Sequence, residues 1–277
     1  MMNIASRVNK LFATTMGLLM LAMVNAAFAA PGDVDKPLLV IGASYADGRL
    51  PFNDALVAPL FGISVGMGSY LSLGDALIKD PRLPGYVINE AQAGATTFDR
   101  PGCNPGLGCN AGLWQGYSKQ LTKAKARVTL PGSNTVLAKY VVISIANDCL
   151  HSDAFGIPQY LTSPCTASDM NAYVDRLIAV GQQALNAGLT PIFSIYPAYS
   201  NLNLPLPAKT FGLAWIADQA GYNALRDLQR TRIASELPRA VQLDIWANFQ
   251  DMGDGLHPND KTSRRAAAII AQYIIQH

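Results

Sequence analysis

Five short apolar runs, separated by longer segments with helical spacing, constrain this chain more than any other feature. They occupy residues 37–41 (PLLVI), 86–88 (YVI), 140–145 (YVVISI), 191–196 (PIFSIY) and 241–244 (VQLD). Runs that are apolar at consecutive positions, rather than at alternate ones, fit strands buried on both faces of a sheet. The segments between and after them predict helices over residues 67–78, 113–126, 167–187, 215–236 and 262–275. Within the third, Met170, Tyr173, Val174, Leu177, Ile178 and Leu185 form one apolar stripe. Strands that alternate with helices imply parallel pairing through right-handed crossovers. The expected fold is α/β: a three-layer α/β/α sandwich around a five-stranded parallel sheet. No repeat and no linker divides the chain into two cores.

The amino terminus reads as a processing signal. Arg7 and Lys10 precede an uncharged apolar run over residues 11–24, and small residues follow, ending Ala27-Phe28-Ala29. That order of charged, apolar and small segments is the pattern of an export signal over residues 1–29, leaving residues 30–277 as one domain. The run is interrupted by Thr14, Thr15 and Gly17, and no second long apolar segment follows. No stable membrane anchor is therefore expected, and the product is expected to be exported, in the periplasm or secreted. Residues 1–29 carry two of the 21 basic residues and none of the 19 acidic ones, so 19 of each remain. A formally neutral chain without a Lys/Arg cluster lacks what a nucleic-acid binder needs to displace counterions from phosphates. A neutral or apolar substrate fits this balance better.

All four cysteines, Cys103, Cys109, Cys149 and Cys165, follow the predicted signal. An even number in an oxidising compartment suggests two disulfides, for which three pairings exist. Short loops favour Cys103 with Cys109 and Cys149 with Cys165. No Cys-x-x-Cys or other zinc-ligand spacing is present, and neither a metal site nor a cofactor is expected.

In an open parallel sheet, ligands bind beyond the carboxyl ends of the strands. Ser44 directly follows the first run in Ile41-Gly42-Ala43-Ser44. Taken alone, a Ser after a strand and a Gly is an ordinary turn residue. Its significance comes from Asp254-Gly255-Leu256-His257-Pro258-Asn259, between the last strand and the last helix. A Ser hydroxyl becomes a competent nucleophile only when a base takes its proton, and imidazole suits that task near neutrality. Of three histidines, His277 is terminal and His151 lies inside the Cys149 to Cys165 segment, which leaves His257. Asp254 stands where it can accept from the second ring nitrogen and orient the base. The competing reading makes Asp254 and His257 caps of a helix beginning at Pro258. Oxyanion donors are expected from Gly94, after the second strand, and from the side chain of Asn147, after the third.

Ser44, Gly94, Asn147 and Asp254-x-x-His257, in that order, resemble the four blocks of the SGNH/GDSL hydrolase superfamily across nearly the whole of residues 30–277. The block Asp254 to Asn259 is the most specific. Two positions depart from the family pattern: Ala43 stands where Gly-Asp-Ser has its Asp, and Ile145 where Gly-x-Asn-Asp has its Gly. The resemblance implies a flavodoxin-like five-stranded sandwich. It also implies Ser44 as nucleophile, His257 as base and Asp254 as its partner. The Ser44 and Gly94 amides with the Asn147 side chain would form the oxyanion hole.

The activity expected is hydrolysis of a small-molecule, lipid or acylated-glycan ester through an acyl-enzyme on Ser44. A non-catalytic glycan- or lipid-binding module on the same fold is the alternative. A phosphoryl-transfer enzyme is disfavoured by the absence of a Gly-x-x-x-x-Gly-Lys loop. Two stretches fall outside the strand and helix alternation, residues 99–112 and 197–211. The second carries Tyr199, Leu202, Leu204 and Leu206, which would either line an acyl site or pack as satellites of the core.

Overall fold

In the computed structural model, residues 35–47, 71–99, 114–146, 148–149, 165–206 and 218–277 are described. The expected signal (1–29), Asn147, Cys103 and Cys109 lie outside them. Residues Asp33–His277 form one compact unit.

The five apolar runs become β1 (Leu38–Ile41), β2 (Val87–Asn89), β3 (Tyr140–Ile143), β4 (Thr190–Ser194) and β5 (Val241–Leu243). All pair in parallel, in the order β2-β1-β3-β4-β5. This is the flavodoxin-like order, with its reversal of direction between β1 and β3. Burial follows position in the sheet. Strands β1 and β3 are buried at every residue, which requires cover on both faces, whereas the edge strands β2 and β5 are half-buried throughout.

Helices α1 (Leu73–Ile78), α2 (Tyr117–Ala126), α3 (Ala167–Asn186), α4 (Gln219–Glu236) and α5 (Asp260–Gln276) cover the sheet. Helix α1 packs with α5, while α2 packs with α3 and α3 with α4. In α3 the buried stripe is Tyr173, Val174, Leu177, Val180, Gly181 and Ala184. Met170, Ile178 and Leu185, expected on that stripe, are only partly buried and pack at the margin of the core.

Several element ends differ from the sequence expectation, and capping explains the helical ones. Ser72 accepts from the Asp75 N–H, so α1 starts at Leu73; residues 67–70 of the expected helix lie outside the described residues. Gly116 is extended and precedes α2, which therefore begins at Tyr117. Asn259 accepts from the Thr262 N–H, which brings the start of α5 forward to Asp260. Strands β3 and β4 end two residues before their apolar runs do. The chain leaves the ladder there to enter the loops above the sheet.

The register sets the ends of β1 and β3 level, since Ile41 pairs with Ile143. Ser144 N–H still donates to the Ile41 carbonyl at 3.0 Å, so the segments that follow the two strands stay side by side. Gly42 makes this approach possible: a Cβ there would lie 2.7 Å from the Ser144 Cβ.

Candidate active site

Ser44 sits in the turn directly past β1, at the reversal point of the sheet. His257 reaches it from the loop between β5 and α5, and its Nε2 lies 2.9 Å from Ser44 Oγ. On the other side of the ring, His257 Nδ1 is 2.5 Å from Asp254 Oδ2. An ionised carboxylate only accepts, so Nδ1 carries the ring proton and Nε2 is left to accept from the Ser44 hydroxyl. All three residues are buried, at 6%, 5% and 5% exposure for Ser44, His257 and Asp254. The arrangement can move a proton from Ser44 to His257 while Asp254 stabilises the resulting imidazolium.

The carboxylate is well supported. Its Oδ1 accepts from the backbone N–H groups of Leu256 (2.9 Å) and His257 (2.8 Å). Burial alone would raise the Asp254 pKa. The opposing charge of His257, its ring N–H and the two backbone donors outweigh that and hold the carboxyl below its usual value. The helix-cap alternative for Asp254 and His257 does not hold, because Asn259 caps α5 and the Asp254 carboxylate faces the imidazole.

The His257 loop has a shape of its own. Its two ends meet where Met252 N–H donates to the His257 carbonyl and Asn259 N–H to the Gln250 carbonyl, both at 2.9 Å. Asp251 Oδ1 accepts from the N–H groups of Gly253 (2.6 Å) and Gly255 (3.0 Å) within the turn. Gly255 has φ 81°, and a Cβ there would stand 2.5 Å from the Asn203 carbonyl oxygen. This position therefore tolerates only glycine without strain.

Gly94 lies half-buried in the loop after β2. That loop is fastened to the Ser44 turn, since the Ala93 N–H donates to Asp47 Oδ2 at 2.7 Å. Asn89 Nδ2 adds a second tie by donating to the Ala46 carbonyl at 2.8 Å. Asn147 is outside the described residues, but Asp148 next to it is buried at the end of β3. One Asp148 oxygen accepts from the Thr97 N–H at 2.8 Å, and the other from the Thr97 hydroxyl and from Arg176 Nη2. Arg176 Nε donates to Thr97 Oγ1 at 2.6 Å, and its guanidinium lies over the Phe98 ring. The loops that carry Gly94 and Asn147 are thus bound to each other through Thr97 and Asp148. Burial raises the Asp148 pKa, and Arg176 and Thr97 only partly offset it.

Cys149 and Cys165 form a disulfide, the pairing that loop length favours. The proposed Cys103 to Cys109 bridge falls outside the described residues. In the loop after β4, Leu204 is buried, Tyr199 and Leu202 are partly buried and pack against the core, and Leu206 is half-buried; residues 207–211 of this stretch lie outside the described residues. Among the described residues, no group of three His, Cys, Asp or Glu side chains could hold a metal ion, and no helix is long and apolar enough to cross a membrane.

Tyr45, Asp47, Thr97, Gln120, Asp148 and Arg176 support this site without having been anticipated. Asp148 had a visible signal, a charged residue just past a strand buried on both faces. Gln120 had another, a polar residue on the α2 stripe of Tyr117, Leu121 and Ala124. Arg176 had none, since an Arg beside an apolar stripe ordinarily faces water.

The sequence matches no family model and no curated protein. Its likeness is to solved structures. An aryl esterase from M. smegmatis overlaps with a TM-score of 0.56 at 16% identity, over 87% of this chain and 99% of that one. A carbohydrate acetylesterase from Sinorhizobium meliloti gives a TM-score of 0.54 at 16% identity, again over 87% and 99%. With this strand order and this overlap, the chain has the α/β/α sandwich fold of these two esterases.

Proposed function

We propose that this protein is an exported SGNH-type serine hydrolase that cleaves carboxylic esters through an acyl-enzyme on Ser44. The observation that carries the reading is the continuous relay Ser44 Oγ to His257 Nε2, then His257 Nδ1 to Asp254 Oδ2, at 2.9 and 2.5 Å. In this reading Ser44 Oγ attacks the ester carbonyl carbon while its proton passes to Nε2. Negative charge gathers on the carbonyl oxygen, where the Ser44 and Gly94 amides and the Asn147 side chain donate. Each such donor is worth on the order of 10²–10³ in rate. The departing alkoxide takes the proton from Nε2 and leaves an acyl group on Ser44. Water, deprotonated by the same nitrogen, then releases the acid and restores the hydroxyl.

Among lipid and carbohydrate esters, the reading favours small acyl groups such as O-acetyl on a glycan. In the loop after β4, Leu204 is buried and Tyr199 and Leu202 are partly buried against the core, which leaves less apolar surface there for a long acyl chain. The fold neighbours include an enzyme described as a carbohydrate acetylesterase. Export rests on the charged, apolar and small segments of residues 1–29, and places the mature amino terminus near Ala30.

The test compares 4-nitrophenyl acetate with 4-nitrophenyl octanoate, on the parent protein and on Ser44→Ala. The acetyl ester is expected to turn over faster, and Ser44→Ala to fall by about 10⁴-fold or more. Hydrolysis of either ester by Ser44→Ala at the parental rate would overturn the proposal.

A further inference from the structure

We propose that Tyr45 is a positioning residue that sets His257 at the correct distance from Ser44, an inference that rests on the proposed roles of those two residues. Ser44 and His257 are 213 residues apart and ride on different loops. Asp254 cannot align them, because every Asp254 contact described above lies within the His257 loop. That carboxylate fixes the ring relative to its own backbone and leaves open where the whole loop sits relative to the nucleophile.

Tyr45 supplies that missing link. It follows Ser44 directly, and its hydroxyl donates to the carbonyl of Leu256, the residue before His257, at 2.5 Å. The bond therefore joins the immediate neighbour of one reacting residue to the immediate neighbour of the other. Both ends are buried, with Tyr45 3% and Leu256 5% exposed, so water does not offer the carbonyl a substitute donor. The phenol ring is itself held in place. Trp246 meets it edge-on at 5.2 Å and Phe249 stacks on it at 5.8 Å, both from the segment after β5. The imidazole of His257 lies 6.0 Å from the same ring. A sliding of the His257 loop past the Ser44 turn would strain the Tyr45 to Leu256 bond as it separates Oγ from Nε2.

Removing the hydroxyl while keeping the ring isolates this role. With 4-nitrophenyl acetate, Tyr45→Phe is expected to lower kcat by about 10- to 100-fold, the scale of a misplacement near 1 Å. KM stays within about twofold, since uniform binding of substrate is not what Tyr45 provides. Tyr45→4-aminophenylalanine keeps an N–H donor at the same place and is expected to recover kcat to within about threefold of the parent. Parental kcat in Tyr45→Phe, or an equal loss in both variants, would contradict the proposal. So would a Tyr45→Phe protein that fails to fold, because the hydroxyl would then serve the fold and not the alignment. Fluorophosphonate labelling separates the two levels of inference. A parent protein that does not label at Ser44 refutes the proposed function itself. A parent that labels alongside a Tyr45→Phe that labels equally fast refutes only the role of Tyr45.

Discussion

The side-chain amide of Gln120 pairs with both sides of Gly42: Oε1 accepts from the Gly42 N–H at 2.8 Å, and Nε2 donates to the Gly42 carbonyl at 3.2 Å. Gln120 is wholly buried on α2 and also donates to the Gln115 carbonyl. It thereby supports the segment between β1 and Ser44 from behind. At the next residue Ala43 takes the place of the Asp of the SGNH pattern, and brings no polar side chain of its own to hold the turn. Gln120→Leu would leave the buried Gly42 N–H without its acceptor, at about 1–3 kcal/mol, while the Gly42 carbonyl keeps the Gln92 N–H at 3.1 Å. Urea unfolding of Gln120→Leu is expected to show a loss of about 1–3 kcal/mol, with kcat reduced and KM little changed.

Asp254 couples the site to acid stability. Its carboxyl is held below its usual value in the folded protein, so its contribution is present above the unfolded pKa of about 3.9 and is lost as pH falls through the lower folded value. The stability gap between the parent and Asp254→Asn is therefore expected to be widest near neutrality and to shrink below about pH 4. Urea midpoints measured across that range check it. At neutral pH the same substitution is expected to lower kcat by about 10⁴-fold, because an amide can hold the wrong imidazole tautomer.

Arg176 and Asp148 give a prediction of opposite sign. Burial raises the Asp148 carboxyl even with Arg176 beside it at 3.0 Å. Arg176→Ala would leave that carboxylate buried without its cation, and is expected to cost about 2–3 kcal/mol at neutral pH. Folding already favours the protonated form of Asp148, and removing Arg176 strengthens that preference. The variant should therefore recover stability relative to the parent as pH falls through the raised Asp148 pKa. A constant difference between the two proteins from pH 7 to pH 4 would contradict the assignment of the shift to burial.

The sheet was legible in the sequence because strands buried on both faces announce themselves as consecutive apolar residues. The chain's two central strands do so most clearly, and they stand either side of the reversal point. The Ser44, His257 and Asp254 pattern was legible because the chemistry needs those residue types and the chain has few histidines. What escaped was long-range polar support. Gln120 could be seen as a misfit on an apolar stripe, but its partner Gly42 is 78 positions away. Tyr45 carried no signal, because nothing local shows that its hydroxyl meets a carbonyl 211 residues later. Of the apolar residues after β4, composition alone could not separate a substrate wall from packing on the core, and Leu204 is buried at 1% exposure. Helix starts were misplaced for a related reason. Caps at Ser72, Gly116 and Asn259 override the hydrophobic period at its ends.

The most direct measurement is peptide mapping by mass spectrometry after the protein is mixed with a fluorophosphonate at neutral pH. One adduct, on Ser44, is expected to form in the parent and to fail to form within the same time in His257→Ala. Hydrolysis of 4-nitrophenyl acetate that persists while Ser44 stays unmodified, or labelling of Ser44 at the same rate in His257→Ala, would contradict this expectation.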